Sequence, residues 1–290
     1  MTLPSFLIIG SMKAGTTSLF RDLRNVPAIF MPSDKELNNL NTDEVLSKSG
    51  KSEYESLFKN ASEAQACGEA STAYAKLPDI RGVPKRAYEL LGPDTRLIYL
   101  VRNPIGRLIS QYHHSVIVSG LNLQIDDAIF NHTPLINYSK YAMQISPWIE
   151  QFGNNQIRIV VFEDYVNTRA ATVHSICNFL GTPSNTDCIQ EDVVFNKGSG
   201  RPLNKGPFSK IAKSLPYRKL IRPLFPLAFR DALRKALLPK APTRIKPKAS
   251  SIEWAVEQLQ DDMAHFKEIL NSDELPWDLK DSVNQFANNN

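Results

Sequence analysis

The chain has 290 residues, of which 42% are hydrophobic and 22% are charged, and its net charge at pH 7 is +4. This composition excludes a disordered chain and is sufficient for one large α/β domain with a helical appendage. No apolar run approaches the roughly 18 residues of a membrane span, no basic and apolar leader precedes the first strand, and the three cysteines lack metal-ligand spacing. We therefore expect a cytoplasmic protein without disulfides, zinc or a transmembrane segment.

The first predicted element is a buried strand over Phe6–Ile9, ended by Gly10. A short loop and a helix follow at once. Gly15 can adopt backbone angles that other residues avoid, and the three residues after it carry hydroxyls at the start of the helix. Free backbone N–H groups at the positive end of a helix dipole bind anions such as phosphate. This stretch therefore predicts an anion-binding loop.

The spacing of Gly10 and Gly15 matches the loop G-x-x-x-x-G-K-[ST] of ATP- and GTP-dependent enzymes. The match then fails at the lysine, because this chain has Thr16 and Thr17 where that motif has Lys followed by Ser or Thr. The only lysine of the loop, Lys13, lies inside the turn and would meet an anion from a different direction. An ATP-dependent kinase stays an alternative, as does a strand–turn–helix corner without a ligand.

The next stretch, residues 25–60, is dominated by loop signals, with a short helix predicted over Glu53–Asn60. A second buried strand is predicted over Cys67–Ala70. A helix over Pro84–Leu91 then leads to a third strand, Leu97–Val101.

A second strand–turn–helix block follows this third strand. Arg102 stands at the strand end, and a guanidinium offers paired donors that suit a phosphate. Pro104 suits the first turn of a helix. If that helix continues, Ser110 and His114 share one face because they are four residues apart, whereas His113 points elsewhere. The block predicts a second phosphate site.

Strands and helices continue to alternate to residue 180. The pattern predicts helices over Ile125–Phe130, Tyr138–Phe152 and Arg169–Leu180, a strand over Ile157–Phe162, and a long amphipathic helix over Ser251–Asn271. Such alternation is typical of an α/β fold with a mainly parallel sheet that binds ligands at the carboxyl ends of its strands.

A basic segment separates this core from the last helix. Residues 201–248 contain 14 Lys or Arg and a single acid, Asp231. We therefore divide one domain into a nucleotide-binding core (1–200), a basic, proline-rich helical lid or insertion (201–250) and a C-terminal packing region (251–290). A binding module for nucleic acid or an anionic membrane, built on the basic segment, is a further alternative.

The loop I-I-G-S-M-K-A-G-T-T-S resembles the 5′-phosphosulfate loop of sulfotransferases that use 3′-phosphoadenosine 5′-phosphosulfate (PAPS), in the branch of bacterial and heparan-sulfate-type enzymes. The second block resembles that family's 3′-phosphate motif, in which Arg and Ser stand eight residues apart. The resemblance extends over residues 5–200 and implies a P-loop-like three-layer fold. The donor-binding residues that it implies are Lys13, Ala14, Gly15, Thr16, Thr17, Ser18, Arg102 and Ser110.

Two later segments resemble the family less completely. The segment FNKGSGRPL, residues 195–203, is similar to the glycine loop that closes on the 3′-phosphate, which implies donor contacts by Lys197, Gly198 and Arg201. A flexible linker is the alternative, because this chain has an asparagine where cytosolic members begin the triplet Arg-Lys-Gly. At the lysine of the family's E-K-T-P-x-Y turn the chain has Ala70.

The resemblance also implies a general base. Lys35 and Glu36 are similar to the start of the K-E-x-H-F-F segment of heparan-type enzymes, whose glutamate takes the acceptor's proton, although residues 38–40 read Asn-Asn-Leu. A solvated loop glutamate is the alternative. Heparan N-sulfotransferases carry a histidine four residues after the serine of the second block. That likeness implies that His114 steadies the sulfuryl group or acts as the base instead.

Together these resemblances imply transfer of a sulfuryl group from PAPS to an acceptor hydroxyl, with adenosine 3′,5′-bisphosphate (PAP) as the product and no metal required. Lys13 would also be catalytic, because it would stabilise charge on the leaving phosphate. A carbohydrate acceptor is favoured, an amine, phenol or lipid stays open, and no nucleic-acid partner is expected. No motif fixes the acceptor or the oligomeric state.

Overall fold

The computed structural model describes residues 3–63, 65–185, 189 and 245–287. A five-stranded sheet forms its centre, and every strand pairing is parallel. The strands are β1 (Phe6–Gly10), β2 (Ile29–Phe30), β3 (Ala66–Ala70), β4 (Arg96–Val101) and β5 (Ile157–Val161). Their order, β2-β3-β1-β4-β5, places β1 in the middle of the sheet.

Helices cover both faces of this sheet. Successive side chains of a strand point to opposite faces, so each central strand contributes to two apolar clusters. Leu7 and Ile9 pack in one apolar cluster, whereas Phe6 and Ile8 pack in a second. The predicted fold, a three-layer α/β domain with a central parallel sheet, is therefore confirmed. The helices are α1 (Thr16–Asn25), α2 (Lys48–Ser56), α3 (Val83–Leu91), α4 (Pro104–Val118), α5 (Ile125–Asn131), α6 (Pro134–Asn137), α7 (Tyr141–Phe152), α8 (Phe162–Asn167), α9 (Arg169–Leu180), α10 (Ala249–Ile269) and α11 (Asp281–Phe286).

Two predicted helices begin three or more residues away from the observed start, and the other helix bounds agree to within two residues. Helix α2 begins at Lys48 rather than Glu53, because the Ser47 hydroxyl accepts the backbone N–H of Gly50 at 3.0 Å and caps the helix. It buries Tyr54 and ends before the predicted end. The predicted helix over 138–152 begins at residue 141, after the separate short helix α6.

The C-terminal helix α10 is attached to the core by polar contacts as well as apolar packing. Asp262 accepts the backbone N–H groups of Ala142 at 3.0 Å and Met143 at 2.8 Å, which lie in the first turn of α7. N–H groups in a first helical turn lack intrahelical acceptors, so this carboxylate stabilises α7. Most of the predicted basic lid, residues 201–244, lies outside the described residues, and the division of the chain into three parts stays a prediction.

The carboxyl ends of the central strands meet at one edge of the sheet. The backbone N–H of Ser11 donates to the carbonyl of Leu100 at 2.7 Å, and that of Ser71 donates to the carbonyl of Ile8 at 3.1 Å. The first residues after β1 and β3 are thus held against neighbouring strands. This edge is where a parallel α/β sheet binds its ligands.

Candidate active site

A cavity of about 1110 Å³ lies at this edge. That volume is sufficient for a nucleotide with part of a second substrate, since drug-sized ligands occupy pockets of roughly 300–1,000 Å³. Its walls come from the loops and helices that follow the strands. The predicted site residues that line it are Lys13, Gly15, Thr16, Thr17, Ser18, Glu36, Arg102, Ser110 and His114.

The loop between β1 and α1 requires glycine at position 15. Gly15 has φ 90°, in the left-handed region, and forms the N-cap of α1. A Cβ atom there would lie 2.6 Å from the Phe162 ring. The close approach of Phe162 and the backbone angle together exclude a side chain, which leaves the start of α1 open to the cavity.

Two expectations about this loop need correction. The predicted hydroxyls do not cap α1, because the N-cap is Gly15 and no side chain bonds there. The three hydroxyl residues instead face the cavity. Ala14 lies outside the cavity lining, since its side chain is buried in the second apolar cluster and its N–H donates to the Ser11 carbonyl at 3.2 Å.

Arg102 lies next to the first loop, so both predicted phosphate-binding blocks meet in one cavity. Its guanidinium carbon lies 4.7 Å from the centre of the Phe162 ring, a cation–π distance, and its Nη1 lies 3.5 Å from the Lys13 carbonyl oxygen. The Tyr141 hydroxyl accepts the Arg102 N–H at 3.2 Å and donates to its carbonyl at 2.5 Å. Burial raises the pKa of Tyr141 to about 12, which keeps this hydroxyl a donor at neutral pH.

A buried arginine that the sequence did not single out holds the two blocks together. Arg107 of α4 is completely buried and donates to the carbonyls of Met12 at 3.3 Å and Leu135 at 2.8 Å. It also donates to Gln111 and Ser139, both at 2.8 Å. Burial lowers the pKa of Arg107 to about 10, so it remains charged near neutral pH. Arg107 therefore fixes the first loop to the second block.

The helix after Arg102 is held by a polar cap. The Asn103 side chain accepts the N–H groups of Ile105 at 3.0 Å and Gly106 at 3.1 Å, which caps α4. The carboxylate of Glu163 accepts the Asn103 N–H at 3.1 Å and the Trp277 indole N–H at 2.9 Å. Glu163 thus connects the second block to the C-terminal segment.

Glu36 lies at the cavity on the loop after β2. Its carboxylate accepts the backbone N–H of Thr72 at 2.8 Å and the Thr72 hydroxyl at 3.1 Å, and it forms an ion pair with Lys35. The Glu36 N–H donates to the Ala70 carbonyl at 2.8 Å. Because 36% of its side chain is exposed, the carboxylate can still reach a ligand in the cavity.

A second carboxylate lies beneath this loop. Glu69 of β3 is 1% exposed and accepts hydrogen bonds from the hydroxyls of Tyr74 at 2.5 Å, Ser71 at 2.7 Å and Tyr54. Tyr74 also accepts the N–H of Leu40 at 3.3 Å. Burial raises the pKa of Glu69, and the nearby charge of Glu36 adds to this effect. Glu69 therefore anchors the loop that carries Glu36.

The two histidines of α4 both line the cavity. The expectation that His113 points elsewhere is wrong, because His113 lines the same cavity as His114. His114 shares the wall with Ser110, as their spacing predicts. Both rings are half-buried.

Backbone strain marks this site. Four of the described non-glycine residues have a positive φ. Three of the four line the cavity: Lys13 at 74°, Glu36 at 64° and Asn38 at 61°. Such angles are uncommon outside glycine and concentrate at functional sites.

Several further residues line the cavity but were not predicted as site residues, because they lie outside the two phosphate-binding motifs. Phe162 follows β5, Lys76 follows the turn after β3, and Lys246 and Phe286 come from the C-terminal part of the chain. Lys197, Gly198 and Arg201 lie outside the described residues, so their predicted donor contacts stay predictions. Within the described ranges, no three His, Cys, Asp or Glu side chains are grouped so that they could hold a metal ion.

The sulfotransferase domain family matches residues 3–220. The chain belongs to the sulfotransferase family. The predicted resemblance is therefore confirmed, and the family favours this assignment over an ATP-dependent kinase.

Individual relatives agree with this assignment. The chain is 27% identical over 187 residues to human heparan sulfate glucosamine 3-O-sulfotransferase 6, covering 61% of this chain and 52% of that protein. It is 31% identical over 116 residues to the membrane-associated sulfotransferase kil1 of Dictyostelium discoideum, covering 40% of this chain and 24% of that protein. The chain thus spans about a quarter to a half of the curated relatives that it matches.

A solved structure shows the same fold. The crystal structure of a sulfotransferase from Alicyclobacillus acidocaldarius superposes with a TM-score of 0.65 at 21% identity, covering 94% of this chain and 98% of that one.

Among the helices of the described ranges, none combines the length and apolar character needed to span a bilayer. The expected cytoplasmic location stays a prediction.

Proposed function

We propose that the protein transfers a sulfuryl group from PAPS to an acceptor. One observation carries this proposal: a single cavity combines an open helix start beside Lys13, a guanidinium at Arg102, and a carboxylate at Glu36. The first two features suit the two phosphate groups of the donor. The third suits proton removal from an acceptor.

The donor would occupy the side of the cavity formed by the loop after β1 and by α4. The N–H groups at the start of α1 and the ammonium of Lys13 suit the 5′-phosphosulfate. Arg102 and Ser110 suit the 3′-phosphate, because a guanidinium donates two parallel hydrogen bonds and a hydroxyl adds a third.

The reaction would be an in-line displacement. The acceptor oxygen forms a bond to sulfur while the bond between sulfur and the bridging oxygen of the 5′-phosphate breaks, and PAP leaves with that electron pair. Lys13 and the N–H groups around Gly15 stabilise the charge that develops on the leaving phosphate. The acceptor proton passes to the Glu36 carboxylate, with His114 as the alternative base.

For the acceptor we propose a chemical class rather than a particular compound. A carbohydrate hydroxyl is favoured, because a relative at 27% identity is named as a heparan sulfate glucosamine 3-O-sulfotransferase. An amine, a phenol or a lipid would fit the same chemistry. No metal is assigned a role in this proposal, and a nucleic-acid partner is not part of it.

The test is a transfer assay with PAPS that carries radiolabelled sulfate and a mixture of neutral sugars, acidic glycans, phenols, amines and lipids. We expect label in at least one acceptor with the wild-type protein, and its loss in Glu36→Gln while PAP still binds. A protein that labels no acceptor and does not bind PAP would refute the proposal.

A further inference from the structure

Lys76 lines the cavity and forms no ion pair within 4 Å with a carboxylate of the described residues. It follows the 3-10 turn Thr72–Ala75 and is half-buried. Its side chain lines the cavity, and its nitrogen lies 5.8 Å from the centre of the Tyr138 ring. The ion pairs of the described residues join other cations to carboxylates, and none involves Lys76.

The surroundings of Lys76 penalise its charge. Burial lowers the pKa of Lys76, and the positive charges of Lys35 and Arg107 lower it further, whereas Glu36 and Asp79 oppose this shift. A half-buried ammonium is stabilised when an anion approaches it. No carboxylate of the described residues forms an ion pair with Lys76, so an anionic group of a molecule in the cavity would stabilise its ammonium.

Lys76 lies on the same side of the cavity as the proposed base. Thr72, at the start of the turn that ends before Lys76, donates two hydrogen bonds to Glu36. The donor-binding features, by contrast, come from the loop after β1 and from the β4–α4 junction. An anion at Lys76 would therefore belong to the molecule whose proton Glu36 takes.

We propose that Lys76 determines acceptor specificity by binding a carboxylate or sulfate group of the acceptor near the hydroxyl that is sulfated. This inference rests on the proposed sulfotransferase activity. The transferred sulfuryl group is another oxyanion that could meet the same ammonium, and donor binding distinguishes these two sources.

The experiment compares matched acceptor pairs in which one member carries a carboxylate and the other its methyl ester: a uronate-containing oligosaccharide, a hydroxybenzoate and a hydroxy fatty acid. The proteins are the wild type, Lys76→Met, Lys76→Arg and the control Lys85→Met, which removes an exposed lysine of α3. The measurements are kcat/KM for each acceptor and the Kd of PAP by calorimetry.

We expect the wild type and Lys85→Met to prefer the charged member by about tenfold or more, the effect of one charge-assisted hydrogen bond. Lys76→Met should lose this preference through the KM of the charged acceptor, Lys76→Arg should retain most of it, and all four should bind PAP equally. The inference is overturned if the wild type shows no charge preference, if Lys76→Met keeps it, or if Lys76→Met changes only donor binding or kcat. If the wild-type protein does not bind PAP, the sulfotransferase proposal itself is wrong, and this result is distinct from the outcomes that concern Lys76.

Discussion

The carboxylate of Glu36 accepts both the backbone N–H and the hydroxyl of Thr72, at 2.8 and 3.1 Å. This relationship joins the loop after β2 to the carboxyl end of β3. It holds the carboxylate at the cavity even though its residue has φ 64°, an angle that few non-glycine residues adopt. The position of Glu36 is therefore specified by hydrogen bonds to Thr72 and Ala70 as well as by the contacts with Lys35 and Asn38 in its own loop.

Replacing Glu36 by glutamine should lower kcat by about a hundredfold or more, because the amide cannot take a proton. The Kd of PAP should be nearly unchanged. Asp34→Asn is the matched control, since it removes an exposed carboxylate from the same loop and should leave kcat unchanged. Full activity in Glu36→Gln together with loss in His114→Ala would assign the base to the histidine.

Replacing Arg102 by alanine should weaken PAP binding by about tenfold to a hundredfold, as expected for loss of a charged hydrogen-bond donor. Binding of adenosine 5′-phosphate, which lacks the 3′-phosphate, should change little. Lys13→Ala should weaken binding of both nucleotides. Calorimetry with the two nucleotides measures this difference, and an equal loss for both in Arg102→Ala would contradict the assignment of Arg102 to the 3′-phosphate.

Gly15→Ala should destabilise the protein more than Gly181→Ala does. Both glycines have left-handed backbone angles, at φ 90° and φ 68°, so alanine costs roughly 1–2 kcal/mol at either. Only at Gly15 would the new Cβ also meet a ring, that of Phe162 at 2.6 Å, because nothing lies within 4 Å of position 181. Urea unfolding gives the two free energies. Gly15→Ala should also weaken PAP binding. Equal free energies of unfolding and equal PAP affinities of the two variants would show that the loop between β1 and α1 tolerates a side chain at position 15.

Stability should depend on pH through Glu69. Burial raises its pKa in the folded protein, so the folded state binds this proton more tightly than the unfolded chain does. The resulting stabilisation is present below the ordinary glutamate pKa of about 4.3 and is lost as pH rises through the raised pKa. The side chain of Glu69→Gln does not titrate, so the free energy of unfolding of the wild type should fall relative to that of the variant as pH rises over this range.

Urea unfolding of both proteins between about pH 4 and 8 measures this difference. Glu53→Gln, which changes an exposed carboxylate of α2, is the control and should follow the wild type at every pH. If Glu69→Gln also runs parallel to the wild type, the pKa of Glu69 is not raised on folding.

Local patterns were sufficient for four of the five strands and for the two loops at the edge of the sheet, whereas β2 (Ile29–Phe30), which is two residues long and lies among loop signals, was not predicted. The apolar runs of β1 and β4 and the residues Gly15 and Arg102 lie within contiguous motifs, so their placement follows from short-range sequence. Helix α2 was misplaced because its start depends on a single cap at Ser47, in a segment with few apolar residues.

Contacts between distant segments could not be predicted in this way. Arg107 donates to the Met12 carbonyl across 95 positions, and the Tyr54 hydroxyl of α2 donates to Glu69 of β3. Lys76 lies in the cavity beside the loop of Glu36, which follows β2, and β2 pairs with the distant strand β3. Arg107 and Lys76 carry no periodic or motif signal, and Glu69 belongs to the turn that resembles E-K-T-P-x-Y, but only the folded arrangement shows which groups these residues contact.

The central claim, that this cavity binds the donor of a sulfuryl group, is tested most directly by calorimetry of the wild-type protein with PAP and with ATP, each with and without magnesium. We predict binding of PAP that needs no magnesium and is at least about tenfold tighter than binding of ATP, because Arg102 meets a 3′-phosphate that ATP lacks. Tight, magnesium-dependent binding of ATP with no binding of PAP would contradict the account.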